Sequence, residues 1–219
     1  MTSAFFILAI ALPLAAAFPQ GAAPKNPTKE KPKNAMKETA VVETSLGSFE
    51  IELYRADAPK TVDNFVKLAH KKFFDGMRVH RVVPGFVIQT GDEKSKDPKR
   101  VAEWGTGGQS AFGKPFEDEL NPATPSYKAG YQKGVVAMAN PGVPNGNTSQ
   151  FFVMLENNPT LPKNYTIFGK VVKGIEVVEK IGKVEIIPTR NSGDGRPAQE
   201  VLIKKVTIHP DGAPAGTHK

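Results

Sequence analysis

The chain has no cysteine, which excludes disulfide frameworks, thiol catalysis and cysteine-based zinc sites but leaves the compartment open. It has no internal repeat. Its longest apolar run, Ala4–Ala17, is broken by Pro13 and falls short of the roughly 20 residues that a membrane span needs. Also missing is any basic face interleaved with aromatics, so nucleic-acid binding is not expected even with a formal net charge of +7. Much of that surplus sits in two polar stretches, Lys25–Lys37 and Lys94–Arg100, which read as solvated surface. Long helices are not favoured either: 20 glycines and 19 prolines suit turns and short strands.

What is present divides the chain into four. Residues 1–17 read as an export leader, with Ala15-Ala16-Ala17 offering the small residues of a cleavage site. An uncleaved anchor is the alternative. Export implies the periplasm or cell envelope in a bacterium, or the secretory pathway in a eukaryote. Residues 18–38, rich in Pro, Lys and Ala, read as a flexible linker. Residues 39–209 form the folded domain, and 210–219 a frayed tail.

Within the domain, Ala40–Leu46 and Ser48–Tyr54 read as a hairpin hinged at Gly47, with Phe49, Ile51 and Leu53 alternating against Glu50 and Glu52. A helix is expected from Pro59, its apolar stripe formed by Val62, Phe65, Val66 and Ala69. Strands are expected at Val79–Val83, Phe86–Thr90, Gly134–Asn140, Gln150–Leu155, Thr166–Val172 and Val201–Ile208. A second short helix carries Ile175, Val178 and Ile181. About eight short strands and two helices predict a mainly β fold, a closed or nearly closed antiparallel barrel with helices over its openings.

Two motifs are near misses. Gly108–Lys114 has the spacing of a phosphate loop, but Pro115 stands where Ser or Thr should hold magnesium. The acids Glu117-Asp118-Glu119 have no complementary ligands nearby, so a loop-fixing or surface role is expected and no metal. No cofactor is expected. Asn147-Thr-Ser and Asn164-Tyr-Thr fit the glycosylation pattern, which matters only in a eukaryotic secretory pathway.

The chemistry centres on Val79-His-Arg-Val-Val-Pro-Gly-Phe-Val-Ile-Gln-Thr-Gly-Asp92, two strands around a Pro84-Gly85 break. It is followed by Gly105-Thr-Gly-Gly-Gln-Ser-Ala-Phe-Gly113, Phe116-Glu-Asp-Glu119, Met138-Ala-Asn140, Ser149-Gln-Phe-Phe152 and Phe168-Gly-Lys-Val171. With these motifs in this order, the chain resembles the cyclophilins, peptidyl-prolyl cis-trans isomerases, from about Ala40 to Ile208.

The resemblance implies an eight-stranded antiparallel closed barrel capped by two α-helices, with the active site on its outer face; it implies that Arg81 is catalytic and that Phe86, Phe152 and Leu161 wall a pocket for the proline ring. It also implies that Gln89, Ala139, Asn140 and Gln150 hold the substrate backbone. Val87 stands where many members carry Met. Counting from Gln150 without gaps, Thr160 falls where the eukaryotic type has Trp, and Tyr165 where it has His. Tyr165 looks like the bacterial branch, and Thr160 implies weak cyclosporin binding. The loop Glu93–Trp104 is longer than in the simplest members and is expected to border the subsite for residues preceding proline. His80, next to Arg81, is expected on the opposite face of the strand as a buried, hydrogen-bonded core residue.

The implied partners are proline-containing polypeptides, with no nucleic acid, no stable membrane insertion after leader removal, and a monomeric state. The other readings are a binding or chaperone module with little turnover and, more remotely, a phosphate-binding protein.

Overall fold

The computed structural model describes residues 38–189 and 193–210. The leader, nearly all of the linker and nearly all of the tail therefore lie outside the described residues. The ten strands are β1 (Thr39–Thr44), β2 (Gly47–Leu53), β3 (Arg81–Val83), β4 (Val87–Thr90), β5 (Val135–Met138), β6 (Phe151–Met154), β7 (Ile167–Lys173), β8 (Ile186–Pro188), β9 (Gly195–Pro197) and β10 (Ile203–His209). They join in one antiparallel sheet of order β10-β1-β2-β7-β5-β6-β4-β3-β9-β8. The helices are α1 (Pro59–His70), α2 (Pro125–Ala129) and α3 (Ile175–Gly182).

The mainly β expectation holds, but eight strands closed into a barrel and capped by two helices must be corrected, among the described residues, to an open ten-stranded sheet with three α-helices. Among the described residues no ladder joins the two ends of the sheet. Its curl does bring the start of β10 beside the residues ahead of β3. There Gly76 N donates to Ile203 O (2.8 Å), Ile203 N to Met77 O (2.7 Å) and Val79 N to Val201 O (2.9 Å). This contact amounts to the single bridge Arg78–Leu202, too short to be a strand pair. The added strands β8 and β9 are three residues each and end in Pro188 and Pro197, so no alternating run marked them. Helix α2 has five residues, too few for a periodic stripe.

The core lies inside the curl. The predicted stripe of α1 is buried there at Val62, Phe65, Val66 and Ala69, and α3 contributes Val178 and Ile181. Phe65 is the centre of an aromatic cluster, its ring centroid 5.0 Å from Phe74, 5.6 Å from Phe151 and 5.4 Å from Phe168. Edge-on and tilted contacts of this kind add to the area that the rings bury.

The three acids hold loops, as expected. Helix α1 has Pro59 in its first turn and no side-chain cap of its own. Glu119 supplies one from far along the chain, accepting from Lys60 N (3.0 Å) and Thr61 N (2.8 Å); a carboxylate there meets unpaired amides and the positive end of the helix dipole. Glu117 pairs with Lys60, and Asp118 accepts from Asn145 N and the Asn147 amide, both at 2.8 Å. Asn147 is fully buried, so the fold withholds this first glycosylation pattern, while Asn164 is exposed. Among the described residues no helix is long and apolar enough to cross a membrane.

His80 is buried as expected, but neither ring nitrogen has a hydrogen-bond partner among the described residues. Burial is the largest influence and lowers its pKa from 6.5 to about 4, with Asp92 and the Gln150 amide opposing and Arg81 assisting. A base whose folded pKa is depressed stabilises the fold above its unfolded value, and that stability drains as protons bind the unfolded chain. Stability should therefore decline as pH falls from 6.5 toward 4, by up to roughly 3 kcal/mol at 1.36 kcal/mol per unit. His80→Gln should flatten that interval in unfolding midpoints measured at successive pH values.

Candidate active site

Strand register builds the site. In β3 and β4, Arg81 lies opposite Gln89; in β4 and β6, Gln89 lies opposite Phe152. Residues directly opposed across antiparallel strands share a face, so Arg81, Gln89 and Phe152 stand in one row outside the curl. The adjacent row, Val82, Ile88 and Val153, points inward and is buried in the core. The β3–β4 turn is Pro84-Gly85, with Gly85 at φ +73°, a conformation that suits glycine, and Phe86 N donates to Val83 O (2.9 Å). At the far end of β4, Gly91 (φ +95°) leaves no space for a Cβ against the Ser149 carbonyl.

The polar part of the row is tied into a chain of hydrogen bonds. Arg81 Nε donates to Asp194 Oδ2 (2.7 Å), and Nη1 donates to Gln89 Oε1 (3.1 Å). Gln89 Nε2 donates to Gln150 Oε1 (2.9 Å). Gln150 Nε2 in turn donates to Gly105 O (3.0 Å) and Gly107 O (2.7 Å). Because the far end of this chain meets two carbonyls, Gln150 presents its oxygen to Gln89, and Gln89 presents its own to Arg81. Donor and acceptor sense is thus fixed along the whole line. Asp194 also accepts from the Thr189 hydroxyl. Its burial would raise the carboxyl pKa, but the hydrogen bonds from Thr189 and Arg81 and the charge of Arg81 outweigh that and hold it below its usual value.

Beside this chain lies an apolar wall. Val87 and Phe152 belong to a second buried cluster on the outer face of the sheet, with Phe86, Ala139, Leu161 and Tyr165 packed against it. The Tyr165 ring meets Phe152 edge-on, centroids 5.5 Å apart. Tyr131 positions Tyr165 by donating its hydroxyl to Tyr165 O (3.0 Å) and accepting from Tyr165 N (2.9 Å). Burial pushes the Tyr131 phenol up to about 12, so it remains a donor. Leu161 is presented by a turn in which Asn158 Oδ1 accepts from Leu161 N (2.9 Å).

Together these groups enclose a cleft of about 440 Å³ lined by Arg81, Phe86, Val87, Gln89, Ala139, Asn140, Phe152, Leu161 and Tyr165. Of the residues expected from the sequence, only Gln150 stands behind the lining, acting on Gln89. Asn140 borders the cleft with its amide engaged, accepting from Gly142 N (3.0 Å) and donating to Asn164 O (3.2 Å). A larger hollow of about 750 Å³, between the end of β2 and α2, contains none of the expected residues. Thr160 is exposed and donates to Asn158.

The long loop joins the cleft through Trp104, which lines it with His80, Gly105 and Thr189; His80, expected on the face opposite Arg81, thus borders the same cleft, because it lies just ahead of β3 and outside that strand's alternation. Both ends of the loop rest on Asp92, fully buried, which accepts from Lys94 N (2.8 Å) and from the amides of Gly105 and Gly107. Its first turn rests on Arg78, buried beneath it, which donates to Ser95 O (2.7 Å) and Lys96 O (2.8 Å), and outside the loop to Glu200 (2.8 Å). The Arg78 guanidinium also lies 5.4 Å from the Trp104 ring centre, a cation–π contact.

Sequence reasoning missed Asp194, Thr189, Tyr131 and Arg78. For Asp194 a faint signal existed: a β-branched pair, Ile186-Ile187, then the turn-prone Ser192-Gly193-Asp194-Gly195. The others act through tertiary contacts that leave no local pattern.

The model of the family "Cyclophilin type peptidyl-prolyl cis-trans isomerase/CLD" matches residues 39–208. A peptidyl-prolyl cis-trans isomerase-like 1 of Aspergillus fumigatus is 39% identical over 172 residues, 78% of this chain and 96% of that protein. Its counterpart in Neurospora crassa is 41% identical over 167 residues, 76% of this chain and 91% of that protein. The crystal structure of a Cryptosporidium parvum cyclophilin type peptidyl-prolyl cis-trans isomerase superposes with a TM-score of 0.67 at 29% identity, covering 80% of this chain and 98% of that one. The same protein, solved in the presence of the dipeptide Ala-Pro, gives 0.66, with 78% and 98% covered. With the motif order, the row of site residues and these likenesses in agreement, the chain belongs to the cyclophilin-type peptidyl-prolyl cis-trans isomerase family.

Proposed function

We propose that the Arg81 cleft rotates X-Pro bonds in polypeptides, with Arg81 as the group that stabilises the twisted amide. An amide resists rotation by about 18–20 kcal/mol because its nitrogen lone pair is delocalised into the carbonyl. No bond is made or broken in the exchange, so the catalyst has only to bind the twisted form better than the planar forms. On twisting, the nitrogen regains its lone pair, and a fixed guanidinium can donate to it and to the carbonyl oxygen. Phe86, Val87, Phe152, Leu161 and Tyr165 take the proline ring, while Gln89, oriented by Gln150, and the edge at Ala139-Asn140 hold the flanking backbone. The observation that carries this reading is the fixed Arg81–Gln89–Gln150 line beside an apolar wall. A module that merely binds proline segments would have no use for a guanidinium held in this way.

The wider role follows from features outside the described residues and from single positions. Ala4–Ala17 and the Ala15-Ala16-Ala17 site support export, and with it assistance to the folding of other exported proteins. A mature N-terminus at Phe18, read from the mass of the first peptide, is the mark of that route. Kinship with the bacterial branch rests on Tyr165 alone, and the curated relatives described above are fungal. Trp104 and its loop border the subsite for residues preceding proline. Partners are proline-containing chains met by a monomer.

Two measurements bear on the cleft. In a cis-to-trans assay on an Ala-X-Pro-Phe peptide, the purified protein should accelerate exchange well beyond the uncatalysed rate. Arg81→Ala should lose on the order of 100- to 1,000-fold, as removal of a transition-state donor does elsewhere. A folded parent that barely exceeds the uncatalysed rate would move the binding-module reading to the front. With Thr160 in place of an indole, cyclosporin should bind weakly in a direct titration; tight binding would refute that expectation.

A further inference from the structure

We propose that Asp194 is the positioning residue of the active site: its carboxylate holds the Nε edge of Arg81 so that the rest of the guanidinium faces the substrate amide. This rests on the role given to Arg81 above. Arg81 has a long, flexible side chain that is 40% exposed, and such a chain has substantial rotamer entropy when free. A donor that wanders must be immobilised during the reaction; one already held loses nothing further.

Two anchors hold this one. Gln89 takes Nη1 at 3.1 Å, and Asp194 takes Nε at 2.7 Å. A neutral amide at one corner leaves the plane free to swing about that contact. A second bond at another nitrogen removes the swing and fixes the plane of the fork. Asp194 is suited to the task because it is itself fixed. Its side chain is only 11% exposed, its second oxygen is taken by Thr189, and the adjoining Gly195 pairs with Val82 of β3, next to Arg81. The β8–β9 hairpin thus carries the carboxylate to the strand that carries the arginine. The carboxyl stays ionised because the two hydrogen bonds and the Arg81 charge hold its pKa below the ordinary range.

The arrangement also has a cost. A carboxylate on Nε offsets part of the charge that Arg81 brings to the amide. If charge mattered more than orientation, removal of Asp194 would speed the enzyme.

The test is a double-mutant cycle with Arg81→Ala, Asp194→Ala and the pair, with Asp194→Asn as a near-isosteric variant that preserves the hairpin. Exchange of an Ala-Pro peptide is followed over a range of peptide concentrations, so that kcat and KM separate. The proposal expects Asp194→Ala to lower kcat on the order of 10- to 100-fold with KM within about twofold. It expects Asp194→Asn to recover part of that loss, and the double variant to be no slower than Arg81→Ala. Activity equal to or above the parent in Asp194→Ala would overturn it. So would a loss of the same size in the Arg81→Ala background, or a loss that appears in KM, since either means that Asp194 acts on the fold or the pocket. If Arg81→Ala itself retains full activity, the role of Arg81 fails first, and the cycle shows this independently of Asp194.

Discussion

Everything at the cleft depends on the register of three short strands. Arg81, Gln89 and Phe152 face outward because each lies opposite the next across β3, β4 and β6. The same register turns Val82, Ile88 and Val153 into the core. A slip of one residue would exchange the two rows, burying a guanidinium and exposing three branched side chains. The register is therefore held by the hydrophobic effect acting on the inner row, and the outer row inherits its geometry. Phe151 and Phe152 show the division within one strand: the first joins the aromatic core around Phe65, the second meets Tyr165 at the cleft.

On that sheet the loops are placed by a few buried polar groups, each serving distant backbone. Asp92 receives both ends of the long loop, Arg78 supports its first turn, and Glu119 caps α1 from far along the chain. Buried polar groups are costly unless paired, and each of these carboxylates is paired. Among the described residues the unpartnered buried atoms are Thr61 Oγ1, Arg78 Nε, Asn147 Oδ1 and both ring nitrogens of His80, and His80 remains neutral because burial lowers its pKa. The consequence for function is a cleft whose two sides differ in character. One is an apolar wall built on Val87 and Phe152, the other a directed line of hydrogen bonds ending at Arg81.

The sequence made the strongly patterned parts legible. The α1 stripe, the β1–β2 hairpin and the β3–β4 pair all follow periodicities that burial imposes, and nine of the ten expected site residues line the cleft. What stayed hidden lacked a local pattern. β8 and β9 are three residues long and end in proline, and they bring in Asp194 and Thr189. The open edge of the sheet was equally invisible, because closure turns on how many residues pair ahead of β3, and among the described residues only the pair Arg78–Leu202 does. Gln150 was expected to touch substrate and instead orients Gln89, a distinction that only the direction of a hydrogen bond reveals. Export and the source of the chain rest on residues outside the described part and on Tyr165.

The central claim is that the Arg81 guanidinium is held in place before any substrate arrives. Nitrogen-15 relaxation of the Arg81 Nε–H in the free protein measures this directly. A fixed guanidinium predicts an order parameter near that of rigid backbone, about 0.85. A value below about 0.6, the signature of a side chain sampling several rotamers, would contradict it.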